Sequence, residues 1–153
     1  MNDKEAEALE QAASYYKDGN FEKAAEYFTT AIKKNKKNAA AYLGRGTCYK
    51  MLKKYEHAVV DLGQAMKLDP DCSDAYVHKC DIYRLTGKLG VWKKTFEESV
   101  RLDKDNKWAK NHLIAIKNIE EEEKKKKGAA AKVKEEPKKT KSEQEANSGA
   151  VEE

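Results

Sequence analysis

Apolar and polar positions along this chain recur with a helical period. Phe21, Ala24, Ala25, Phe28, Ala31 and Ile32 follow three- and four-residue steps, which predicts an amphipathic helix and excludes a strand. Short polar breaks, KDGNF at 17–21 and TGKL at 86–89, separate such stretches, and Gly19 and Gly87 can take the left-handed conformation that ends a helix. The pattern itself repeats every 34 residues, over 5–38, 39–72 and 73–106. The eleventh offset reads Tyr15, Tyr49, Tyr83 and the eighth reads Ala12, Gly46, Cys80. The twenty-fourth reads Phe28, Leu62, Phe96 and the twenty-seventh Ala31, Ala65, Ser99. Small residues let two helices approach closely, and aromatic residues fill the seams between helix pairs. One hairpin cannot bury its apolar face alone, so the three are expected to stack into a solenoid.

Beyond the third unit, Trp108, Leu113, Ile116 and Ile119 keep a helical spacing and predict a capping helix over 107–127. Its end, EEEEKKKK, sets each Glu four residues before a Lys, the favourable order for helix ion pairs, and Gly128 is expected to stop it. Residues 1–4 read as an N-terminal extension and 128–153 as a disordered, low-complexity tail. Two positions depart from the repeat. Lys53 stands where the other units have Gly19 and Gly87, at a cost of about 1 kcal/mol for a left-handed residue. Trp92 stands where they have Ala24 and Ala58, which predicts that the third hairpin splays or shifts register and that Trp92→Ala is neutral or stabilising.

Composition fits this layout. Of 153 residues, Leu, Ile, Val and Phe supply only 24, while 20 Ala and 8 Tyr make up the bulk expected of a packed solenoid. Charged residues reach 38% but nearly cancel, at 31 basic against 27 acidic. From Glu120 onward there are 9 Lys and 10 Glu, so the net positive charge belongs to residues 1–119. No apolar run approaches a membrane span, and the acidic opening MNDKEAEALE lacks the form of a secretory signal. Three cysteines, Cys48, Cys72 and Cys80, fit reduced thiols in the cytoplasm or nucleus.

Catalytic motifs are missing from the chain: it has no phosphate loop, dinucleotide fingerprint, His-Glu-x-x-His pair or nucleophile elbow. Cys72, His78 and Cys80 are spaced to fall on different helical faces, so neither metal nor other cofactor is expected. Cys80 and Cys48 read as packing residues, and His57 as a surface residue.

Tyr15, Gly19, Ala24, Phe28 and Ala31, then Tyr42, Gly46, Tyr49, Ala58, Ala65 and the LDP at 68–70, resemble the tetratricopeptide repeat across residues 5–106. The resemblance implies an all-α, right-handed superhelical solenoid of helix-turn-helix units that holds a partner's segment in a concave groove lined by the first helix of each unit. Transferred by offset, the implied groove comprises Leu9, Glu10, Ala13 and Tyr16, then Leu43, Gly44, Thr47, Lys50 and Met51. The third unit adds Asp74, Val77, His78, Asp81, Arg84 and Leu85, and the cap adds His112. Many cochaperones of this family grip a chaperone's terminal carboxylate with two Lys, two Asn and an Arg or Lys. The corresponding positions here hold Leu9, Ala13, Gly44, Asp74 and His78, so that clamp is absent and chaperone-tail binding is not expected.

The implied role is therefore that of a monomeric, non-catalytic adaptor, cochaperone-like or scaffold-like, for an apolar peptide or amphipathic helix. The alternative is a nucleic-acid or other anionic partner held by the tail and by surface lysines such as Lys33, Lys34, Lys53 and Lys54. Lys124, Lys125, Lys126 and Lys127, with Lys138, Lys139 and Lys141 further on, resemble a two-part nuclear import signal.

Overall fold

The computed structural model describes residues 2–134, which form seven α-helices. They are α1 (Asp3–Lys17), α2 (Phe21–Lys34), α3 (Ala39–Met51), α4 (Tyr55–Leu68), α5 (Ser73–Leu85), α6 (Leu89–Leu102) and α7 (Lys107–Lys134). Three consecutive hairpins, α1/α2, α3/α4 and α5/α6, follow the 34-residue period. α1 starts at Asp3, two residues before the period does, because the Asn2 side chain accepts the Lys4 N–H and caps it.

Backbone hydrogen bonds repeat with the sequence. At each hairpin turn the residue at the sixteenth offset donates back to the carbonyl of the eleventh-offset tyrosine: Asn20 to Tyr15 (2.9 Å), Lys54 to Tyr49 (2.8 Å) and Lys88 to Tyr83 (2.6 Å). That closure needs a left-handed residue just before the donor, supplied by Gly19 (φ 76°), Gly87 (φ 72°) and, against its preference, Lys53 (φ 60°).

The small residues sit where the helices meet. Ala12, Ala24, Ala31, Ala41, Ala58, Ala65 and Ala75 are wholly buried, as are Cys48 and Cys80. A side chain grown on Gly46 would begin 3.0 Å from Leu62 Cγ, so α3 and α4 can touch only because this residue has none. In the third hairpin, α5 and α6 approach far less closely than α1 with α2 or α3 with α4. Trp92 is the cause: its ring lies flat between Tyr83 (centroids 4.4 Å apart) and Phe96 (5.8 Å), holding apart helices that alanine lets close elsewhere.

α7 closes the third hairpin with buried Ala109, Ala115, Ile116 and Ile119. A compact unit ends at Ile119, and the helix itself continues through Gly128 to Lys134. Gly128 does not stop it. One mid-helix glycine costs about 1 kcal/mol, which Ala129, Ala130 and Ala131 and the Glu–Lys spacing before it offset.

Candidate functional site

The first helices α1, α3 and α5 carry the groove positions, and the structure sorts them into three groups. Tyr16, Met51, Val77 and Leu85 are large apolar side chains left exposed, a cost in water unless something covers them. Ala13, Glu10 and Asp74 are exposed as well.

The second group is a polar network joining α3 to α5. The Lys50 ammonium donates to Asp81 Oδ2 (3.0 Å) and to His78 Nδ1 (3.3 Å), and Arg84 donates to Asp81 Oδ1 (3.3 Å). One carboxylate thus faces two cations. Burial, with the Lys50 charge added, pushes the His78 pKa down, so at neutral pH its ring is uncharged and can accept from Lys50. The offsets placed His78, Asp81 and Arg84 together; Lys50 is what ties them to the neighbouring helix.

The third group belongs to the core. Leu9 and Leu43 are half-buried against it, and Thr47 is buried with its hydroxyl donating to the Leu43 carbonyl (2.8 Å). Gly44 is a close-approach position: a Cβ there would lie 2.3 Å from Phe28 Cζ, so any side chain requires the Phe28 ring to leave. His112 is not a groove residue. It is fully buried, stacked on Phe96 (3.8 Å) and edge-on to Tyr76 (4.9 Å), in space that the separation of α5 and α6 opens. Among the described residues neither ring nitrogen has a partner at full hydrogen-bond geometry; burial, with the Lys79 charge added, lowers its pKa to about 3 against a lesser opposing contact with the Trp108 backbone.

Sequence reasoning passed over the most unusual charge. Lys79 is buried, its Nζ 5.6 Å from the Trp108 ring centroid and 6.0 Å from that of Tyr83, with no carboxylate partner among the described residues. Burial lowers its pKa to about 8. At the same offset in the second unit Arg45 forms a two-pronged pair with buried Asp61, at 2.7 Å for each bond. The position matching Asp61 in the third unit is Thr95, and that mismatch was the available signal.

Cys48 and Cys80 are buried free thiols, pushed up to about 11 and about 12 by burial, while His78 faces Lys50 rather than either cysteine. His57 is exposed against Tyr49. Lys124 to Lys127 are exposed on α7; Lys138, Lys139 and Lys141 lie outside the described residues. No helix among the described residues is long and apolar enough to cross a membrane.

With this geometry in place, comparison with known proteins identifies the class. Family models described as tetratricopeptide repeat match residues 9–76 and 73–106. The second tetratricopeptide domain of human RPAP3, solved in complex with the HSP70 peptide SGPTIEEVD, is 31% identical, covering 74% of this chain and 95% of that one, with a TM-score of 0.57. The chain belongs to the tetratricopeptide repeat family. Heat shock protein STI1 of Saccharomyces cerevisiae is 28% identical over 116 residues, 75% of this chain and 20% of its own. DnaJ homolog subfamily C member 7 of Homo sapiens is 30% identical over 109 residues, 69% of this chain and 21% of its own. The chain therefore spans about a fifth of the length of these curated relatives.

Proposed function

We propose that the protein is a non-catalytic, cochaperone-like adaptor of the cytoplasm that holds an apolar segment of a protein partner along α1, α3 and α5. The observation that carries this reading is the pairing of exposed Met51, Val77 and Leu85 with the Lys50–His78–Asp81–Arg84 network on the same helices. Apolar side chains supply the contact area, and the network supplies directional bonds that fix the segment's register. Relatives solved with HSP70 or HSP90 peptides support the adaptor class. They do not extend to the same ligand, because an amide at position 44 would displace Phe28 and Asp74 would repel a carboxylate.

Two measurements test the reading. Titration with SGPTIEEVD is expected to give no binding tighter than about 100 μM, since each missing charge-assisted bond costs about 1.5–3 kcal/mol. Binding in the low-micromolar range overturns the exclusion of chaperone tails. Affinity capture with the native chain against Val77→Glu/Leu85→Glu is expected to lose the groove's partners. These two residues are exposed, so the variant should stay folded; an unchanged partner set refutes groove binding.

A further inference from the structure

The departures from the 34-residue pattern converge in space. Trp92, which replaces alanine, and Lys53, which replaces glycine, both line one cleft of about 500 Å³ between the second and third hairpins. Lys88 lines it too, at the offset where the first unit has Asn20, the residue that caps α2 there. Tyr55, Val59, Ile82 and Tyr83 complete an apolar, largely aromatic floor with Trp92. No groove residue is among those lining the cleft, so it is separate from the site proposed above.

The volume falls within the range of roughly 300–1,000 Å³ that holds ligands in folded proteins. Between the first and second hairpins the same offsets, Glu22, Ala25, Tyr49, Leu52 and Lys54, line a smaller cleft of about 300 Å³ that has alanine in place of the tryptophan, so Trp92 and the wider third hairpin enlarge and aromatise a space the repeat already leaves. The mouth is cationic. Lys53 and Lys88 stand on two successive hairpin turns, Lys54 adjoins the first, and Glu56 is the one carboxylate among the lining residues. Because the lysines come from separate hairpins, the complementary ligand carries several negative charges spread to either side of a single bulky apolar group.

We infer that this cleft is a second docking site, which takes an acidic protein segment by burying one large aliphatic or aromatic side chain against Trp92 while its flanking carboxylates face Lys53 and Lys88. Such a segment matches the charge of the rim and the apolar character of the floor together. An adaptor with two separate sites can hold two chains, or two segments of one chain, at once.

The test uses the full chain and three short peptides of sequence EELFEE, EESSEE and KKLFKK with blocked ends, read by the chemical shifts of the Trp92 indole and of the Val59 and Ile82 amides. EELFEE is expected to shift these signals and to weaken as salt is raised, with both controls at least about tenfold weaker. Lys53→Gly and Lys88→Asn restore the residues of the first unit. Together they are expected to hold or raise the melting temperature yet weaken EELFEE about tenfold, so lost binding cannot be ascribed to lost folding. Equal binding of EESSEE, equal binding by the double variant, or shifts confined to Val77 and His78 would overturn the proposal. Phenylacetate acting as strongly as EELFEE would also overturn it, by making the cleft a small-molecule site.

Discussion

Two buried bases of the third unit shape how stability depends on pH, in windows that do not overlap. The folded protein holds His112 neutral down to about pH 3, whereas an unfolded imidazole takes a proton near its ordinary value of 6.5. The unfolded state therefore binds more protons between these values, and stability falls as pH drops through that window by up to about 1.4 kcal/mol per unit. His112→Leu keeps the volume and removes the base. Urea unfolding between pH 7 and 4.5 should show a shallower loss for the variant; parallel slopes would rule this role out. For Lys79, folding lowers the pKa from 10.5 to about 8, so the cost of a buried ammonium is paid in full below pH 8 and disappears as pH rises toward 10.5. Lys79→Met is expected to stabilise the protein at pH 7 by about 2 kcal/mol and to flatten its rise above pH 8. Lys79 escapes the offset reading, which puts His112 in the groove, because the core is read there only from aromatic and small positions. A polar residue at a buried offset shows itself only through its partner, and Arg45 has Asp61 where Lys79 has Thr95.

Among elements, the third hairpin is built differently from the first two. Sequence spacing anticipated that a tryptophan in an alanine slot separates α5 from α6, but not that the separated helices rebuild a contact from stacked rings. Tyr83, Trp92, Phe96 and His112 form a continuous pile in which Phe96 and His112 are wholly buried and Trp92 is half-buried. The expectation that removing the indole is neutral does not survive this geometry. Trp92→Ala leaves a void between rings that cannot close without moving a helix, and a loss of about 3 kcal/mol in denaturant unfolding is expected. The same stack explains why offset transfer misplaced His112. A groove offset faces outward only when successive hairpins share one spacing, and the wider third hairpin draws the α7 histidine inward. Helix existence, turn positions and the small-residue contacts were legible because each follows from local periodicity. The Lys50 link and the cleft at Trp92 were not, since both depend on how far apart neighbouring hairpins stand.

At the scale of the whole molecule, the stacked units are open at one end, and α7 has the task of closing it. The buried cluster runs from Ala58 and Leu62 through Tyr76, Ile82 and Phe96 to Ala109, Ala115, Ile116 and Ile119, so the third hairpin buries its rings largely against α7. Past Ile119 the described side chains are exposed, apart from partial cover at Glu120 and Glu123. Stability in a repeat array is carried by neighbour contacts, so a cut has an effect set by the contacts it severs and not by the number of residues removed. A chain ending at residue 119 should melt within about 3 °C of the full chain, because it keeps every member of that cluster. Ending at residue 106 removes only 13 residues more, yet it strips Phe96 and Tyr76 of the Trp108 and His112 rings that cover them. Losing buried Ile116 and Ile119 alone costs several kcal/mol at roughly 2–5 kcal/mol each, comparable with the whole stability of a small domain. The shorter chain is therefore expected to lose its cooperative transition in the third unit, with the α5 and α6 amides exchanging freely while those of α1 and α2 stay protected. Equal protection across all three units in the 1–106 chain would show that the hairpins stand without their cap.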